Sequence, residues 1–179
     1  MGIYNLVLGK GIIIPVKLFS QIFRMELENT NTTDYTEEIF NQIVRQKIDP
    51  ELTISGIGHD AFEGRHGKIF DMFSDTEHQE SIDVLAEMIE KAKTITDVKY
   101  QTLNCGDLMF IGHCRNLGQN EFNYYIRNPS EIIYGFSHLL RDVIKYYPEL
   151  EQKDLSALEE VFGQKSKMWT FADDCCCCG

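Results

Sequence analysis

The apolar residues of this chain recur at two different spacings, and the switching between them limits the fold more than any single motif does. From Ile22 the pattern alternates, with Phe23, Met25 and Leu27 on one face and Ile22, Arg24 and Glu26 on the other, which is the period of a half-buried strand. From Ile39 it lengthens: Ile39, Phe40, Ile43, Val44 and Ile48 fall at helical spacing, behind an Asp34 N-cap with Glu37 three residues on, until Asp49-Pro50 ends the run. A chain that changes period in this way must pack helices against a sheet.

The same reasoning extends along the chain. Ile3 to Leu8 and Ile12 to Phe19 read as strands joined by a turn at Gly9-Lys10-Gly11, with Pro15 favouring an edge position. Leu52 to Ser55 and Lys68 to Phe73 are the next extended runs. Ser74-Asp75-Thr76-Glu77 is a capping box that predicts a long helix to about Lys93, its core face marked by Ile82, Leu85, Ala86 and Ile89. Three strands follow, at Val98 to Leu103, Asp107 to His113 and Glu121 to Arg127, with Asn116 to Asn120 as the hairpin loop between the last two. Asn128-Pro129-Ser130-Glu131 starts a helix whose apolar face runs from Ile132 to Tyr147 and which Pro148 ends. A short helix from about Lys153 to Phe162 carries Leu155, Leu158 and Val161, and Gly163 suits its left-handed C-terminal position.

Strands come first and then mix with helices, which predicts an α+β fold rather than an alternating parallel sheet. The expectation is one globular domain over residues 1–163, a mainly antiparallel sheet against about four helices, and a C-terminal tail over 164–179. The length of 179 residues and 43% hydrophobic content suffice for one sizeable core.

Charge excludes some partners. With 28 acidic against 17 basic residues the net charge is -11, which repels nucleic-acid phosphates and anionic lipid, and no local basic patch reverses that field. No run approaches the roughly 20 apolar residues of a membrane helix. The N-terminal stretch lacks the basic region of a signal peptide, so the mature chain is expected to begin at or near Met1. Leu6 makes Gly2 a poor myristoylation candidate. Four of the 6 cysteines are contiguous at Cys175 to Cys178, leaving Cys105 and Cys114 in the body, which is no disulfide framework and points to a reducing, cytoplasmic setting.

Four groups of residues offer chemistry. The segment Gly56 to Gly67 brings His59, Asp60 and His66 together with glycines, and Ile111-Gly112-His113 echoes its Ile57-Gly58-His59. These imidazoles and the carboxylate suit a divalent metal such as zinc, and His59 with His113 alternatively suits acid–base work on a phosphate ester. The competing reading makes the same segment a chain reversal with its histidines in solvent. His113 and Cys114 are neighbours on an expected strand and so point to opposite faces, which argues against a Cys–His nucleophile pair. On the second predicted helix, Glu80, Asp83, Glu87 and Glu90 share one face, a docking site for a basic partner or a solvated surface partly balanced by Glu87 with Lys91. Finally, Trp169 and Phe171 either fold back onto the body or anchor a partner. The run Cys175-Cys176-Cys177-Cys178 has no structural-zinc spacing and makes an atypical prenylation box, leaving acylation, which would bring the chain to a membrane, or thiol oxidation as its chemistry.

Two functions emerge. The first is an acidic intracellular binding or regulatory module, of inhibitor, immunity-type or adaptor kind, with no cofactor. The alternative is a small hydrolase or phosphoesterase, metal-dependent or not, built on His59, Asp60, His66 and His113.

Overall fold

The computed structural model describes residues 4–29, 37–57, 69–71, 75–97, 108–118 and 147–174. These residues form an α+β unit whose strands make one antiparallel sheet. The strands are β1 (Tyr4–Pro15), β2 (Thr53–Ile57), β3 (Ile69–Asp71), β4 (Leu108–Gly118) and β5 (Lys167–Asp174), in the order β2-β4-β1-β5-β3. The helices are α1 (Val16–Ile22), α2 (Arg24–Glu28), α3 (Glu37–Lys47), α4 (Asp75–Lys93), α5 (Pro148–Glu151) and α6 (Ser156–Phe162).

Strand alternation divides the core into two layers. Ile12 and Ile14 of β1, Met109 and Ile111 of β4 and Ile54 of β2 face one side, where they meet Val16, Phe19, Phe23 and Leu27 of α1 and α2, Phe40, Ile43 and Val44 of α3, and Leu155 and Leu158 at α6. Aromatic rings fill the centre of this layer: Phe19 lies 4.7 Å from Phe23 and 5.1 Å from Phe40 between ring centroids. Ile13, Ile57, Leu108, Phe110 and Trp169 face the other side, which α4 covers with Leu85 and Ile89. Both faces of the β1–β4 centre are therefore buried, which accounts for the continuous apolar runs Ile12-Ile13-Ile14 and Leu108-Met109-Phe110-Ile111.

Gly9-Lys10-Gly11 is not a turn. β1 runs straight through it, because Gly11 lies opposite Gly112 and the two backbones come so close that a Cβ on Gly11 would strike the Ile111 carbonyl oxygen and one on Gly112 the Lys10 carbonyl oxygen. At Gly9 the space a Cβ would take holds the Phe110 ring. The glycines thus make room in a strand. Pro15 is likewise not on an edge strand: it ends the central strand at a point where β5, which pairs only as far as Gly11, no longer lies alongside.

Val16 to Leu27 is helical where alternation predicts strand. The deciding residue is Met25, which is 67% exposed, whereas Val16, Phe19, Phe23 and Leu27, spaced three, four and four apart, are buried. Phe23 and Leu27 fit either period, and only the core below them selects one.

The segment expected as a tail contains β5, which pairs with β1 from Tyr4↔Asp174 to Gly11↔Lys167 and with β3 on its other side. Residues 116–118, expected in a hairpin loop, belong to β4, and the ladder shifts register there, Leu6 facing Gly118 and Val7 facing Asn116. Pro148 occupies the first turn of α5. Other expectations hold in part: α3 buries Phe40, Ile43 and Val44, and α4 buries Leu85 and Ile89. The last helix starts at Ser156 rather than near Lys153; it buries Leu158 and its N-cap Leu155 while Val161 is 37% exposed, and Gly163 closes it in the left-handed region at φ 62°. The predicted helix at 128–147 lies outside the described residues except for Tyr147, which is the N-cap of α5, and the strands at 98–103 and 121–127 and the capping residues Asp34 and Ser74 lie outside them too.

Candidate functional site

Beyond the apolar block, the face of β1 and β4 that carries Ile12 and Ile111 becomes polar. Lys10 lies opposite His113 in the ladder, and Arg115 follows on the same face. The segment from Tyr147 to Asp154 closes over this end. Lys10 Nζ donates to the main-chain carbonyls of Glu151 at 2.6 Å and Lys153 at 2.8 Å, so one cation satisfies acceptors left over at the end of α5. Arg115 donates to Glu149 Oε1 at 3.0 Å and stacks its guanidinium over the Tyr147 ring, 5.5 Å from its centroid. Lys10, Glu151, Glu159, Lys165, Ser166, Lys167 and Met168 line an open cavity of about 360 Å³. Within it, Glu159 accepts the Ser166 N–H at 2.8 Å.

His113 is half-buried in this polar end. Burial, and next the Lys153 cation, hold its imidazole below the usual histidine range against the opposing pull of Asp49 and Glu51, which favours the neutral ring. Cys114 points to the opposite face, as strand alternation requires. It is a free, exposed thiol 3.5 Å from the Thr53 hydroxyl, which donates to the Gly112 carbonyl at 3.2 Å.

His59, Asp60 and His66 lie outside the described residues, as do Cys105 and Cys175 to Cys178. Among the described residues no three His, Cys, Asp or Glu side chains gather as a metal site. The strands flanking the histidine-bearing segment, β2 and β3, lie at opposite ends of the sheet that the described residues form and do not pair with each other.

Helix α4 presents a second surface. Leu85, Ile89 and Ala92 face the sheet, and Asp83, Val84, Glu87 and Glu90 face outward, with Val84 50% exposed beside the carboxylates. On this face Glu90 pairs with Lys93 at 2.6 Å, and among the described residues Glu87 and Lys91 form no such pair. Glu80 belongs to α4 by its backbone.

Trp169 does not form an exposed anchor. It is 2% exposed in the layer beneath α4, and its indole Nε1 donates to the Gly11 carbonyl at 3.1 Å. Phe171 lies on β5 opposite Val7. Sequence reasoning missed Lys10, the cation that ties α5 to β1; a charged residue between two glycines inside an apolar run was the available signal.

No protein-family model, no curated protein and no solved structure matches this chain.

Proposed function

We propose that this chain is an acidic protein-binding or regulatory module, of inhibitor, immunity-type or adaptor kind, that engages a basic partner through the outer face of α4. The observation that carries this reading is the division of labour along that helix. Leu85, Ile89 and Ala92 fix it to the sheet, and the opposite side displays Asp83, Glu87 and Glu90, with the exposed Val84 and Lys91 at the edge of that face. A rigid helix bearing carboxylates beside one apolar side chain supplies both long-range attraction for a cationic surface and a small contact that water leaves on docking. The net charge of -11 strengthens the attraction at a distance. The reading places the protein in the cytoplasm, where Cys114 stays a thiol.

The experiment is a binding measurement on the wild type and on Asp83→Lys/Glu87→Lys, with the partner recovered from the source cells. The reversed chain is expected to keep its circular dichroism spectrum and lose the partner, and binding of the wild type is expected to weaken as salt is raised. Equal binding by both chains would refute the reading.

A further inference from the structure

The outer edge of β2 is already occupied. Ile54 donates its N–H to Asn41 Oδ1 of α3 at 3.0 Å, a bond that requires the main-chain groups of Ile54 to face away from β4. In an antiparallel ladder these groups alternate between the partner and the open side, so Leu52, Ile54 and Gly56 form the outward row. Leu52 in turn donates its N–H to the Asp49 carbonyl at 3.3 Å and accepts from Arg45 Nε at 3.2 Å. Helix α3, through two side chains and the turn that follows it, therefore takes the first three hydrogen-bonding positions of that row.

An outward row of this kind is what an incoming strand would bind, and folded proteins protect it. We propose that Asn41 and Arg45 are edge guards that prevent the β2 edge from pairing with the β2 edge of a second copy of this chain. The second copy is the occupant that the sequence here favours. Leu52-Thr53-Ile54-Ser55-Gly56-Ile57 is uncharged, free of proline and rich in β-branched residues, the composition that pairs with itself. Two identical edges meet antiparallel about a two-fold axis, and Gly56, whose outward groups have no partner among the described residues, offers no side chain to obstruct the approach. Asn41 removes a donor from this surface, and Arg45 removes an acceptor while placing a cation that a second copy would have to meet with its own. The guard acts on an edge strand and does not depend on the outer face of α4.

The test is the mass of the chain in solution by light scattering over a range of concentrations, with circular dichroism reporting the fold. Wild type and Asn41→Asp, which keeps an acceptor oxygen for Ile54, are expected to be monomeric. Asn41→Ala/Arg45→Ala is expected to double its mass as concentration rises, and adding Gly56→Pro, which deletes an outward N–H without touching the β2–β4 ladder, is expected to restore the monomer. If the double variant does not fold, Asn41→Ala alone carries the same comparison. A folded guard variant that stays monomeric overturns the proposal. So does association that survives Gly56→Pro, or a wild type already paired in a way that Gly56→Pro abolishes.

Discussion

The two faces of the sheet are built differently. One is thick: α1, α2, α3 and α6 cover it, and Phe19, Phe23 and Phe40 meet at tilted angles at its centre. The other is thinner among the described residues: α4 lies over a layer in which the Phe110 ring takes the space a Cβ on Gly9 would need and the Trp169 indole donates to the Gly11 carbonyl. On the thick side, four helices share the task of covering the core, and their outer surfaces keep a few isolated apolar residues such as Ile22, 47% exposed. On the thin side, among the described residues, α4 covers the layer with Leu85 and Ile89, its Met88 packs against the other core, and its outer side carries the exposed Asp83, Glu87, Glu90, Lys91 and Lys93. The larger described core lies on the first face, and the surface proposed for recognition lies on the second.

Five measurements probe this contrast, beginning with the largest effect. Phe19→Ala empties the centre of the thick layer and is expected to cost about 4 kcal/mol in urea unfolding. Gly112→Ala tests the thin layer: its Cβ meets the Lys10 backbone, which cannot yield as a side chain would, and about 3 kcal/mol is expected. A neutral result would show that the β1–β4 ladder does not depend on the close glycine pair. Lys10→Met keeps the stem and removes the cation from the Glu151 and Lys153 carbonyls, with an expected loss of about 2 kcal/mol and faster amide exchange around α5.

The fourth measurement is pH-dependent. His113 binds its proton less readily in the folded chain than in the unfolded one, whose imidazole titrates near 6.5. As pH falls through that value the unfolded chain takes up the proton first, so the contribution of His113 to stability is full above it and is lost as pH drops toward the folded value. Unfolding free energies of wild type and His113→Gln, compared from pH 8 downward, are expected to converge on the acidic side of about 6.5. The smallest effect is that of Asp83→Lys/Glu87→Lys on stability, within about 0.5 kcal/mol.

The sequence showed clearly those elements whose apolar stripe matches one period and whose ends carry their own stop signals. Helix α3 ends before Asp49-Pro50 and α6 before the left-handed Gly163, signals that act within a few residues and need no tertiary partner. Helices α1 and α2 were hidden because Phe23 and Leu27 suit a strand as well as a helix, and the exposure of Met25 is a property of the folded core. Strand β5 was hidden for the opposite reason: Lys167 to Asp174 is framed by lysines and aspartates, and it becomes a strand because β1 offers it a ladder and the Gly11 carbonyl accepts from the Trp169 indole. The α4 face was legible from spacing alone, since the side of an amphipathic helix follows from its period. The role of Lys10 was not, because its acceptors lie more than a hundred residues away along the chain.

The central claim, that the thin layer's helix is the recognition surface, is tested most directly by titrating the recovered partner into wild type, Asp83→Lys/Glu87→Lys, and a control reversed at Glu38 and Glu51, two exposed positions away from α4. The account predicts lost affinity for the α4 variant alone, with all three chains folded. Equal affinity for the α4 variant and wild type, or equal losses in both reversed chains, would contradict it.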